Sequence, residues 1–161
     1  MKDPMDEPAM VDVALNRIVI REGAEQQYIF LREAQGQRGF PIVIGTAEAC
    51  EIRRVVTGIQ PERPLTHQLT YECIRALGAE LKRVDIVDLR NNTFFAQLVL
   101  QDKRGEMTAV VDARPSDAVA LALRAKCPLR VAESVLEAVR TDPPGPDPLP
   151  PAEEPPAPGE V

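Results

Sequence analysis

Apolar residues fall at strand spacing over residues 11–20, 27–32 and 40–44, alternating with polar ones at the start of the first and forming short continuous runs in the others, and this pattern predicts three β-strands. The period then lengthens. From residue 46 to about residue 56 the apolar positions fall on one helical face, and Gly58 offers a left-handed stop. A second helix is predicted from about residue 65 to residue 77, ended by Gly78. Leu65, Leu69, Cys73 and Leu77 recur every four residues along it, which predicts a buried stripe and leaves His67 toward an edge. The strand period returns over residues 80–89, 93–101 and 106–112, followed by a helix over 115–126 and a shorter one over 133–139.

The same plan therefore runs twice. A shift of 69 positions lays Arg17-Ile18-Val19-Ile20 on Ile86-Val87-Asp88-Leu89 and Tyr28-Ile29-Phe30-Leu31 on Gln97-Leu98-Val99-Leu100. It also lays Glu48-Ala49 on Asp117-Ala118, so each half carries an acid near the third residue of a helix that follows a strand. The prediction is an α+β domain of two pseudo-repeated β3α2 units, with mainly antiparallel sheets packed against helices.

Charge separates this domain from its ends. The formal charge is −6, yet residues 1–10 hold one Lys and three acids, and residues 141–161 hold five acids and no base. Residues 11–140 balance 18 basic against 17 acidic side chains, which excludes the basic stripe of a strong non-specific DNA binder but permits a local arginine-lined cleft. We read residues 1–9 as a disordered acidic leader, 10–140 as the domain, and 141–161, with nine prolines, as a disordered tail. The tail is a solvated spacer or a ligand for a polyproline-binding protein partner. Cys50, Cys73 and Cys127 are widely spaced among apolar residues, so buried thiols in a reducing compartment are expected rather than disulfides. No run approaches the roughly 20 apolar residues of a membrane span, and the N-terminus carries no apolar signal segment, so the reading is cytoplasmic.

Chemistry concentrates in Val110-Val111-Asp112-Ala113-Arg114-Pro115-Ser116-Asp117-Ala118, at a predicted strand-to-helix junction. A helix start with free N–H groups attracts anions, and Arg114 adds a bidentate grip on phosphate or carboxylate. Two readings stand: an anion or metal site, or a plain helix start capped by Asp112 and Asp117 with Arg114 as their counter-charge. In the first reading Glu48 and Asp117 line a cleft between the halves and hold a divalent cation. The second motif, Arg63-Pro64-Leu65-Thr66-His67-Gln68-Leu69, contains the chain's single histidine. One histidine excludes two-histidine RNA cleavage and His-rich zinc sites within one chain, leaving carboxylates with a metal, or His67 with Arg and Asp. Thr66 and His67 also admit structural roles as a cap and a hydrogen-bonding group.

With both motifs in view the chain resembles the bifunctional nuclease domain family over about residues 11–138. The resemblance rests on Pro41-Ile42-Val43-Ile44-Gly45 with Glu48-Ala49, on Arg63-Pro64-Leu65-Thr66-His67, on Leu77-Gly78-Ala79, and on Asp112-Ala113-Arg114-Pro115-Ser116-Asp117-Ala118. Family members usually place Asp after the histidine, where this chain has Gln68. The resemblance implies two β3α2 units and, for some members, hydrolysis of both DNA and RNA. It makes Glu48, Arg63, Thr66, His67, Asp112, Arg114, Ser116 and Asp117 candidate site residues without fixing a mechanism; from residue type and position we assign His67, Asp112 and Asp117 as catalytic, Arg63, Thr66, Arg114 and Ser116 as substrate-binding, and Glu48, Asp112 and Asp117 as ligands of magnesium or manganese. In that scheme the arginines neutralise the phosphate and His67 protonates the leaving group.

Two rival functions come from other classes. One is a non-catalytic module that binds an anion or nucleic acid at the Arg114 helix start. The other is a partner-binding domain whose Pro-rich tail is the working part. Sheet edges left by the two halves also allow a homo-oligomer.

Overall fold

The computed structural model describes residues 8–140. The tail, and all of the leader but residues 8 and 9, lie outside the described residues. The elements run β1 (Met10–Val19), β2 (Gln26–Glu33), β3 (Gly39–Gly45), α1 (Thr46–Thr57), α2 (Thr66–Ala76), β4 (Ala79–Arg90), β5 (Thr93–Asp102), β6 (Met107–Ala113), α3 (Pro115–Ala125), β7 (Leu129–Ala132) and α4 (Glu133–Arg140). All seven strands form one sheet in the order β3-β2-β1-β7-β4-β5-β6. The fold class is α+β. Neighbouring strands are antiparallel except β4 and β7, which run parallel.

Strand β7 is an addition to the predicted elements. It is only four residues long, too short for a period of two to register, yet it sits between the β1-β2-β3 and β4-β5-β6 meanders. Its anchor is polar: Arg130 donates from Nε and Nη2 to the two carboxylate oxygens of buried Asp85 on β4, at 2.8 and 2.9 Å, and Arg83 adds a third bond at 2.9 Å. Burial opposes ionisation of Asp85, but these arginines outweigh it and hold its pKa below the ordinary value.

The sheet is strongly curled. Phe40 of β3 and Phe94 of β5 stack with ring centroids 5.5 Å apart, although four strands separate theirs in the sheet. In a flat sheet that separation spans roughly 24 Å at about 4.8 Å per strand, so the concave face must close on itself. Inside lie Ile29, Leu31, Ile42, Ile44, Val84, Ile86, Leu98 and Val131, with Ile52 of α1, Val119 and Leu121 of α3 and Val135 and Leu136 of α4. Helix α3 is apolar nearly all round because α1 and α2 flank it while the sheet lies beneath.

Helix α2 departs from its prediction. None of its residues is fully buried, and the stripe at Leu65, Leu69, Cys73 and Leu77 faces outward, Leu69 being 55% and Leu77 88% exposed. The inward side carries His67, Gln68, Tyr71 and Ile74, also at helical spacing but polar at its start. The His67–Asp117 hydrogen bond to α3 and the packing of Tyr71 against the core hold this face inward. Cys73 is therefore exposed, while Cys50 and Cys127 are half-buried; all three are free thiols. No described helix is long and apolar enough to cross a membrane.

Candidate active site

Two helices begin directly at strand ends. Strand β3 passes into α1 through Gly45 as N-cap, and β6 passes into α3 through Arg114 as N-cap with Pro115 in the first turn. Neither cap uses a side-chain hydrogen bond, so Asp112, Asp117 and Thr66 are not caps. Glu48 and Asp117 occupy the third helical position of their respective helices, where a carboxylate complements the positive helix end.

A single guanidinium joins them. Arg114 donates from Nη2 to Glu48 Oε1 at 2.6 Å, from Nε to Asp117 Oδ2 at 2.8 Å and from Nη2 to Asp117 Oδ1 at 3.1 Å. Its side chain is nevertheless 66% exposed, against 14% for Glu48, so the head is fixed from below and open above. Nη1 has no partner among the described residues and keeps two donors for an incoming anion. The two carboxylates raise the already high Arg114 pKa further, chiefly through the bonds from Asp117 and then Glu48.

His67 completes the chain of contacts. Its Nε2 lies 2.8 Å from Asp117 Oδ1, linking the start of α2 to the start of α3. Burial disfavours the charged form of Asp117, but hydrogen bonds from Arg114 and His67 prevail and its pKa is lowered. An ionised carboxylate only accepts, so Nε2 carries the proton and Nδ1 is the nitrogen left for chemistry.

Gly45 is required by this arrangement. A β-carbon there would collide with Glu48 Oε2, so only glycine lets the carboxylate fold back over the strand end. Behind the site Glu51 is almost fully buried between Arg124, at 2.6 Å, and Arg54, at 3.0 Å. Burial pushes the Glu51 pKa up, and the two arginines, with a contribution from a charged His67, bring it below the usual value. Glu51 and Arg124 were not among the residues expected at the site. Their signal was spacing: Glu51 follows Glu48 by three residues and Arg124 follows Asp117 by seven, each on the face of its helix already in use.

Glu48, His67, Arg114 and Asp117 are thus brought together. The rest of the nominated set is not. Asp112 is exposed on β6 and Arg63 is exposed ahead of α2, and neither makes a side-chain hydrogen bond or ion pair among the described residues. Ser116 is buried in the first turn of α3, and Thr66 opens α2 with its side chain unbonded while its carbonyl accepts from Thr70. The expected metal triad of Glu48, Asp112 and Asp117 is accordingly corrected: among the described residues no three His, Cys, Asp or Glu side chains are placed to hold a metal ion. Glu48 and Asp117 are spent on Arg114, so this donor set does not fit a divalent cation. At the departure position, Gln68 buries an Oε1 without a hydrogen-bond partner.

The sequence profile of the bifunctional nuclease domain matches residues 29–143, which include every member of the four-residue network. An uncharacterized protein of Mycobacterium tuberculosis, Rv1829, is 44% identical over 127 residues, 79% of this chain and 74% of that one. Bifunctional nuclease 1 of Arabidopsis thaliana is 32% identical over 93 residues, 56% of this chain and 28% of its own. Bifunctional nuclease 2 of Oryza sativa subsp. japonica is 32% identical over 119 residues, 72% of this chain and 36% of its own. The chain belongs to the bifunctional nuclease domain family.

Proposed function

We propose that the chain hydrolyses phosphodiester bonds of DNA or RNA with little sequence preference, using His67, Asp117 and Arg114. The observation that carries this reading is the His67–Asp117 pair set beside an arginine that is fixed on one side and open on the other. Neutral His67 takes a proton at Nδ1 from a water attacking phosphorus. Asp117 stabilises the imidazolium that forms, and the same proton passes to the leaving oxygen as the P–O bond breaks. The free donors of Arg114 meet the equatorial oxygens of the transition state, and Glu48 holds the guanidinium in place. No step is routed through a metal. The free thiols suit a reducing compartment, which we take to be the cytoplasm.

The exposed donors of Arg114 equally support a second reading, a regulatory module that holds nucleic acid or another anion without cleaving it. Cleavage of fluorescent single- and double-stranded DNA and RNA by wild type, His67→Ala and Asp117→Ala, purified identically, separates the two. Loss of cleavage in both variants is the result expected of the hydrolase. Equal cleavage by all three proteins, or none by wild type with binding retained, overturns it in favour of the binding module.

A further inference from the structure

Strand β1 outruns its inner neighbour. β7 pairs with it only from Met10 to Val13, while Ala14–Val19 continue alongside β2 alone. Bonding directions are fixed at two points: Asp12 accepts from Ala34 on the β2 side, and Ala9 accepts from Glu133 on the β7 side. Alternation along the antiparallel ladder then turns the N–H and C=O of Leu15 toward the side that β7 leaves open. The register skips Asn16 and resumes with Val19 opposite Tyr28, an even number of residues from Ala34, so Ile18 turns its N–H and C=O the same way. No described backbone group bonds to either residue there. What lies beside them is a cavity of about 600 Å³, lined also by Lys126, Cys127 and Pro128, which link α3 to β7, and by Val56 and Leu123. Val56 is 57% exposed, and the charged lining residues are Arg17 and Lys126, with no acid among them.

We infer that this gap is a docking site for an extended peptide of alternating apolar and acidic residues, which a partner protein adds as a strand against Ala14–Val19 of β1. The unpaired groups of Leu15 and Ile18 are donors and acceptors together, and only another backbone answers both kinds along a strand. Side chains set the alternation. Leu15 and Ile18 pack on the core side of the sheet, so peptide residues on that side meet apolar walls. Arg17 lies on the opposite face, its guanidinium 4.4 Å from the centre of the Phe30 ring, so peptide residues on that face meet a cation and Lys126 adds a second. The chain's own residues 141–161 are acidic but hold nine prolines, which lack the N–H that the Leu15 and Ile18 carbonyls require. The occupant is therefore a segment of another protein.

The inference is independent of the proposed activity. Helix α3 carries the candidate site at its start and this gap at its end, and the test reads amide exchange and binding, not cleavage. Hydrogen exchange of the full chain, resolved by NMR, is expected to find the amides of Leu15 and Ile18 open beside protected Ala14 and Val19, which bond to β2. The synthetic peptide acetyl-Val-Glu-Val-Glu-Val-amide is expected to slow exchange at Leu15 and Ile18, and its lysine analogue is not. Lys126→Glu, remote from the start of α3, is expected to weaken binding by about tenfold or more. Methylating one alternate set of peptide nitrogens is expected to abolish binding while methylating the other set leaves it, the mark of main-chain pairing on one side. Unchanged exchange at Leu15 and Ile18 in millimolar peptide, or equal binding of the lysine analogue, overturns the inference. So does protection of both amides in the full chain alone, which would assign the gap to a segment of the chain itself.

Discussion

Arg114 and Glu48 stand 66 residues apart in the chain and 2.6 Å apart in space, so one guanidinium ties the start of α3 to the start of α1. Asp117 receives the same guanidinium on both oxygens, which makes Arg114 the hinge pin of the site. Replacement by Lys keeps the charge but cannot bridge two carboxylates with a planar fork. Arg114→Lys is expected to lower kcat/KM by about 10²-fold, the scale of losing one transition-state donor. Near-wild-type cleavage by this variant would remove Arg114 from the mechanism.

Gly45 separates the site from the fold. The atom that a new β-carbon would strike is the free end of Glu48, which can swing away at little cost to stability. Gly45→Ala is therefore expected to melt near the wild-type temperature while losing activity to the same degree as Glu48→Gln. Loss of activity in step with loss of helix signal would place the effect in folding instead.

Glu51 has the opposite profile. Removing its charge leaves Arg124 and Arg54 facing an almost buried position, a change of about 3–5 kcal/mol for broken buried pairs. The sign with pH follows from its lowered pKa: the stabilisation is complete above the ordinary 4.5 and is lost as pH falls through the lower folded value. Urea unfolding of wild type and Glu51→Gln should differ by a constant amount between pH 6 and 8, and the difference should shrink once the pH has fallen below 4.5. A gap that widened in acid would contradict the ion-pair assignment.

Chelation tests how the carboxylates are used. With Glu48 and Asp117 bonded to Arg114, cleavage is expected to persist in excess chelator. Abolition by chelator, with recovery on adding magnesium or manganese, would mean that both acids leave Arg114 to take up the ion.

The three thiols should react at different rates. Cys73 is exposed, whereas burial pushes the Cys127 thiol up to about 11 and leaves almost no thiolate at neutral pH. Mass spectrometry after brief alkylation should find Cys73 modified first and Cys127 last. Rapid labelling of Cys127 would show that its surroundings open in solution.

The first six strands and all four helices were legible because each presents a period long enough to read, and Pro115, Gly58 and Gly78 mark its turns. Gly45 and Glu48 were visible as motif residues, but their contact was not, since close approach of a carboxylate to a glycine leaves no periodic trace. The stripe from Leu65 to Leu77 misled for a physical reason: helical spacing shows that two faces differ, not which of them a neighbour with a hydrogen bond to offer will claim. His67, at the polar start of the other face, carried that information. Asp112 shared a motif with Asp117 but sits on the strand side of the junction, where its side chain stays in solvent away from the helix start.

Strand β7 sits between β1 and β4, yet it is the last of the described strands to be synthesised. Until residue 132 has emerged, both meanders carry an unfilled inner edge, and neither can close the sheet by joining the other directly in this arrangement. Four residues near the end of the domain thus act as a keystone: translation must proceed through residue 132 before the curled sheet, and the helix starts that follow β3 and β6, can settle.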